Sequence, residues 1–224
     1  MGCQMKTLNQ LLLNFDCNQN FKEDDFYVGK SNYYPFELIN KWPQWEKNFL
    51  NINGEKYSGK THLVNIFLKK FKGIKLDPSS LSDESLKVIK LHQNIILEDL
   101  DKNINEKLLY TLFNIIDQDN KFLMITSSKP ITEIKFELND LRSRTKNCLL
   151  AKIENPDDEL MFALILKNLS DRQITLDKKL IDFIIKRVER SYGKIFEFIY
   201  KIDKISLKKK KSIDFKIINE ALEK

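Results

Sequence analysis

Arginine is scarce in this sequence. Of 38 basic residues in 224, only five are arginine and the rest are lysine, against 32 acidic residues for a net charge of +6. The chain is also heavy in asparagine and isoleucine. That mixture is a composition bias that raises lysine everywhere without aiming it anywhere, so net charge alone does not point to nucleic acid. Cysteine is sparse too. Cys3, Cys17 and Cys148 are odd in number and lack C-x-x-C spacing. This argues against a disulfide framework or structural zinc, and for a reducing compartment. His62 and His92 are the only histidines, too few for a histidine-built metal centre or triad. Long apolar runs are missing as well: nothing approaches the roughly 20 residues of a membrane span. Leu11 to Leu13 falls short of the about 7–15 apolar residues of a signal peptide. Lys6 stands where an N-myristoylation signal needs Ser or Thr. The expectation is a cytoplasmic protein with no membrane partner.

What is present suffices for a core. The apolar share of 42% is that of a globular domain, and the length suits one domain with a small appendage. From Phe26 onward, strand-like and helical segments alternate. Strands are predicted over Asn48–Asn53, Gly73–Asp77, Asn94–Glu98, Lys121–Thr126 and Cys148–Glu154. Helices are predicted over Phe36–Trp45, broken near Pro43, and over Lys60–Phe71 and Asn105–Ile116, where apolar residues recur on one side. Short apolar strands alternating with helices imply an α/β fold, a mostly parallel sheet covered on both faces. After Pro156 the texture changes to four helices, Asp158–Leu169, Lys178–Arg190, Gly193–Ile205 and Ser212–Leu222, with the basic run Leu207–Lys211 read as a solvated loop in the last connection. The boundaries expected are an N-terminal segment 1–20, an α/β domain 21–154 and a helical domain 155–224.

GEKYSGKT, Gly54 to Thr61, fits the phosphate-loop pattern G-x-x-x-x-G-K-[ST], and it lies between a strand and a helix as that motif requires. Glycines at Gly54 and Gly59 let successive backbone N–H groups turn toward an anion, and the helix that follows favours negative charge at its N-terminus. Lys60 would reach the β- and γ-phosphates and Thr61 would ligate Mg²⁺; Lys56, Tyr57, Ser58 and His62 complete the candidate site for ADP or ATP. Such a site also needs a carboxylate on a neighbouring strand. Glu98 and Asp99 end the strand at Asn94, with Glu98 as metal ligand where Asp is usual and Asp99 as the acid that activates water; a helix-capping role is the alternative. Thr126 and Ser127 end another strand, either to bond the attacking water or as a polar strand end. LRSRT, Leu141 to Thr145, holds two of the five arginines, placed for a phosphate or for a salt bridge.

FYVGKSN, GEKYSGKT, ILEDLD, MITSSKP and LRSRT occur in the order and spacing of the AAA+ ATPases related to the replication initiator DnaA, which the chain resembles from about residue 21 on. The resemblance implies a P-loop AAA+ domain with a parallel five-stranded sheet, then a small α-helical lid. It places Phe26, Tyr27 and Val28 at the adenine pocket, Thr126 in the sensor 1 region, and Arg144 at an arginine finger that acts on a neighbouring subunit's nucleotide. It places Lys194 where a lid arginine touches nucleotide; lysine keeps the charge without the bidentate fork. A short N-terminus, an ATPase core and no DNA-reading domain resemble the Hda-like regulators of DnaA. These carry a QLxLxL peptide that binds the β sliding clamp. Gln10, Leu11, Leu13 and Phe15 fit it, with Phe15 for the last leucine. The partners implied are the clamp and DnaA, with DNA reached mainly through the clamp and self-association possible. The Glu98 and Lys194 departures suit an activator of another ATPase better than an active hydrolase. The other function the resemblance admits is a self-sufficient ATPase acting on single-stranded DNA or in helicase loading.

Overall fold

The computed structural model of the chain describes residues 26–100 and 104–223. Gln10, Leu11, Leu13 and Phe15, like Cys3 and Cys17, lie outside the described residues.

Five parallel strands form one sheet: β1 (Phe49–Asn53), β2 (Ile74–Leu76), β3 (Asn94–Leu97), β4 (Phe122–Ser127) and β5 (Leu149–Lys152), in the order β2-β3-β4-β1-β5. This is the sheet expected from the strand pattern. Side chains alternate cleanly between its faces, as a period of two requires. Phe49, Ile95, Leu97, Leu123 and Ile125 point to one side, where they meet Leu109, Leu112 and Phe113 of α4 (Glu106–Gln118). Leu50, Ile52, Ile96 and Met124 point to the other, against Leu63, Val64 and Phe67 of α2 (Lys60–Lys70) and Leu38 and Ile39 of α1 (Tyr33–Lys41). Phe113 is fully buried and stacked on Phe49 at 4.7 Å between centroids. Phe113→Ala is therefore expected to cost about 3–5 kcal/mol in denaturant unfolding.

Two short helices, α3 (Asp83–Ile89) and α5 (Asn139–Thr145), were not expected. At seven residues each they are too brief to display a helical period. A capping box between Ser82 and Ser85 starts α3, and the buried Leu141 and Thr145 fix the inner face of α5.

The third core cluster is made by α6 (Asp158–Asp171), α7 (Lys178–Ile185), α8 (Tyr192–Lys209) and α9 (Phe215–Leu222), through residues such as Ile165, Ile184, Ile199, Ile202 and Ile218. Two of these helix ends differ from expectation by more than a turn. The helix expected to reach Arg190 stops at Ile185. Leu207, Lys208 and Lys209 are the last turn of α8 rather than a loop, and Lys210 closes the helix in the left-handed conformation. Lysines suit that position because the C-terminal end of a helix dipole is negative. No helix among the described residues is long and apolar enough to cross a membrane.

Cys148, just before β5, is buried, and that burial pushes its thiol up to about 12, Lys47 pulling the other way by less. Only the thiolate is nucleophilic. At pH 8 the native protein should be alkylated at Cys148 about 10³-fold more slowly than the unfolded chain, whose thiol titrates near its ordinary value. The gap should close as pH rises toward 12, followed by mass spectrometry of the Cys148 peptide.

Candidate functional site

The loop between β1 and α2 is built around two glycines. A Cβ on Gly54 would stand 2.8 Å from Ser58 Oγ and 3.0 Å from Ile153 Cβ, so the backbone is too closely covered there for any other residue. Gly59 adopts φ +95 at the N-cap of α2, a left-handed conformation that favours glycine. Tyr57 also has positive φ, at 69°. The Lys60 ammonium is buried against the loop and donates to the carbonyls of Gly54 at 2.7 Å and Glu55 at 2.9 Å. Ser58 Oγ is buried without a hydrogen-bond partner.

The loop opens on a cavity of about 880 Å³. Its floor is Lys56 to His62, with Asp99 beside it. Phe26, Tyr27 and Val28 line one wall. Phe26 stacks on Phe36 at 5.7 Å and meets His62 edge-on at 5.1 Å, which presses this wall against the start of α2. Asn32 shapes the same wall: its Oδ1 accepts from Gly29 N at 2.8 Å and its Nδ2 donates to Tyr27 O at 2.9 Å. The roof comes from α6 and α8, through Leu160, Leu164, Lys167, Tyr192, Ile195 and Phe196. Burial raises the Tyr192 phenol above its ordinary range; the nearby charge of Glu55 adds to this, and the hydroxyl donates to Glu154 O at 3.0 Å.

The carboxylates sit at the end of β3. Asp99 has φ 59, and its N–H donates to Thr126 Oγ1 at 2.9 Å. Leu100 N donates to Thr126 O at 2.8 Å. The buried Thr126 therefore holds the backbone that presents Asp99, and it does not itself line the cavity. Glu98 leaves one carboxylate oxygen, Oε1, buried without a partner, while Oε2 pairs with Lys75 at 2.9 Å. A hydroxyl at Thr61 and an orphaned carboxylate oxygen are hard donors of the kind Mg²⁺ takes. Among the described residues no three His, Cys, Asp or Glu side chains form a metal cluster.

No protein-family model matches the chain. It is 28% identical over 203 residues to the chromosomal replication initiator protein DnaA of Helicobacter hepaticus, covering 80% of this chain and 44% of that protein. The chain spans about half the length of the DnaA relatives it matches. Domain III of the Thermotoga maritima replication initiation protein DnaA superposes with a TM-score of 0.71 at 19% identity, over 92% of this chain and 97% of that one. The fold is an AAA+ fold, shared with that domain and, at a TM-score of 0.65, with the Thermotoga maritima RuvB branch-migration motor. AMPPCP-bound DnaA of Aquifex aeolicus superposes with a TM-score of 0.68 at 21% identity, over 87% and 67% of the two chains.

Within this AAA+ fold the structure gathers Phe26, Tyr27, Val28, Lys56, Tyr57, Ser58, Gly59, Lys60, Thr61, His62 and Asp99 around one cavity. Gly54, Glu98, Thr126, Arg144 and Lys194 are not among its lining residues. Gly54 and Thr126 stand behind it in supporting roles. Lys194 turns outward and pairs with Glu197 Oε2 at 3.2 Å, both side chains exposed. Arg144 lies on α5, bonded through Nη1 to Asp117 of α4, with its guanidinium 5.4 Å from the centroid of Tyr110. Sequence reasoning missed Asn32 and the residues of α6 and α8 that roof the cavity. For α8 a signal existed: Tyr192, Ile195 and Phe196 recur at helical spacing on the face beside Lys194.

Proposed function

We propose that the chain is a nucleotide-binding AAA+ regulator of bacterial chromosome replication initiation, acting on DnaA through Arg144. Residues 21–154 bind ADP or ATP and residues 155–224 form the lid. The observation that carries this reading is the place of Arg144. It stands apart from the chain's own cavity, on a short helix whose inner face is buried, and its partly exposed guanidinium would exchange the Asp117 carboxylate for a nucleotide on another subunit. The similarity to DnaA supports DnaA as that subunit.

In this reading, Lys60 and the loop N–H groups hold the phosphates, and Phe26, Tyr27 and Val28 enclose the base. Thr61 and Glu98 are the residues that would hold Mg²⁺, which would neutralise phosphate charge there. The chain's own nucleotide lies between the loop and the lid and serves a structural role. Arg144 then meets the γ-phosphate of DnaA-bound ATP and stabilises the charge that develops as it is hydrolysed, leaving ADP-bound initiator. Gln10, Leu11, Leu13 and Phe15 dock on the β sliding clamp as an extended peptide, which brings the protein to DNA indirectly.

The test combines DnaA–ATP, clamp loaded on DNA and this protein, and follows ADP formation on DnaA. Stimulation that is lost on replacing Gln10 and Leu13 with alanine supports the reading; no stimulation at any concentration refutes it. A second reading, a self-sufficient ATPase acting on single-stranded DNA or in helicase loading, is favoured by Asp99, an acid held at the cavity by Thr126. Vigorous DNA-stimulated turnover by the chain alone, lost in Asp99→Asn, would decide for it.

A further inference from the structure

The phosphate loop is joined directly to α8. Glu55, the residue after Gly54, places Oε1 within 2.6 Å of Ser191 Oγ and 2.6 Å of Gly193 N. Ser191 is the N-cap of α8, an 18-residue helix, and Gly193 lies in its first turn. A Cβ at Gly193 would stand 3.3 Å from the same oxygen, so glycine lets the carboxylate approach this closely. Two residues further along the loop, Tyr57 stacks on Phe196 of α8, with centroids 4.3 Å apart and planes 14° from parallel. The stack is closed at both ends by cations: Lys56 lies 5.0 Å from the Tyr57 centroid and Arg172 lies 5.6 Å from that of Phe196. Tyr57 keeps its left-handed backbone while making this contact.

The N-terminus of a helix is a place where an anion is stabilised, through unpaired N–H groups and the helix dipole. In α8 that place is filled from within the chain. The first cation of α8, Lys194, faces away, bonded to Glu197.

We infer that Glu55 is a clasp: its carboxylate, rather than the terminal phosphate of a nucleotide, is the anion that seats the N-terminus of α8, so the lid is fastened to the phosphate loop and its hold on ADP and ATP is the same. Glu55 is thus a positioning residue that acts through the lid. The inference rests on the nucleotide-site reading only for its binding consequence; the clasp itself is a contact within the chain.

The experiment measures hydrogen exchange at the amides of Gly193–Ile195 in ligand-free protein, and the affinities for ADP and ATP by calorimetry, in wild type, Glu55→Ala and Glu55→Gln. Loss of two charge-assisted hydrogen bonds should speed exchange in Glu55→Ala by about 10²-fold and weaken ADP and ATP together and equally. Glu55→Gln retains an acceptor oxygen without the charge and should recover only part of the protection. Unchanged exchange in Glu55→Ala overturns the clasp, as does weakening of ATP alone, or wild-type exchange at Gly193–Ile195 that responds to ATP and not to ADP. Failure of wild type to bind either nucleotide would refute the nucleotide-site reading, and the exchange comparison would still decide the clasp. A thermal melt of each variant separates local loosening from global unfolding.

Discussion

Arg144→Ala is expected to abolish the stimulation of ATP hydrolysis on DnaA, by a factor of about 10³–10⁵ in rate if the guanidinium acts as a finger in trans. The geometry makes this a test of chemistry rather than of folding. Leu141 and Thr145 bury the inner face of α5, while the Arg144 side chain is about one third exposed at 34% and its ionic partner Asp117 is similarly exposed. Ion pairs at this exposure contribute little to stability, and alanine suits a helix. The variant should therefore melt like wild type. Arg144→Lys should recover only a small part of the activity, because an ammonium cannot make the two parallel hydrogen bonds of the guanidinium fork. Asp117→Asn supplies a further reading. It loosens the pair that holds Arg144 over Tyr110, so it should alter stimulation while leaving nucleotide affinity unchanged. A rate on DnaA that is the same for Arg144→Ala and wild type would remove the finger from the mechanism.

The second large effect is expected at Lys60. Its ammonium is buried and bonded to the carbonyls of Gly54 and Glu55, so it tightens the loop that lines the cavity. Hydrogen bonds to charged groups contribute about 1.5–3 kcal/mol each. Losing the phosphate contacts of this one cation should therefore weaken ADP and ATP by roughly 10²–10³-fold. Calorimetric titration measures it directly, with Lys60→Met as the variant that preserves the aliphatic stem. Equal affinity in Lys60→Met and wild type would show that nucleotide, if bound, is bound elsewhere. Because Lys60 is distant in role from Arg144, the pair of variants separates holding a nucleotide from acting on a partner's.

Much of the architecture was legible because it is local. The strands at Phe49–Asn53, Asn94–Leu97 and Phe122–Ser127 are short apolar runs, and α2, α4 and α6 repeat apolar residues at helical spacing. Periods of two and 3.6 leave their mark in any window long enough to hold two turns. For the same reason α3 and α5 escaped notice, and so did the continuation of α8 through its lysine-rich end. There the sequence reads as solvated, and only helix continuity and a left-handed cap at Lys210 make it the last turn.

The candidate site divides along the same line. GEKYSGKT could be read as a phosphate loop from spacing alone, since the motif is a backbone shape with its glycines at fixed steps. Other features became visible only in three dimensions. Thr126 supports the backbone of Asp99 rather than facing the cavity. Arg144 is held by Asp117 and Tyr110. Lys194 points away from the cavity while its neighbours Tyr192, Ile195 and Phe196 roof it. The contact between Glu55 and Gly193 joins residues 138 positions apart.

By itself, then, the sequence determined the parallel α/β core, the glycine-built turn between β1 and α2 and the helical composition of the second half. These depend on periodicity and on backbone shapes that a few residues impose on their neighbours. Tertiary structure alone decided the strand order, the roof of the cavity and the direction in which each charged side chain points. Those are settled by which distant surfaces pack together, and a side chain's partner across a fold leaves no regular mark in the chain that carries it.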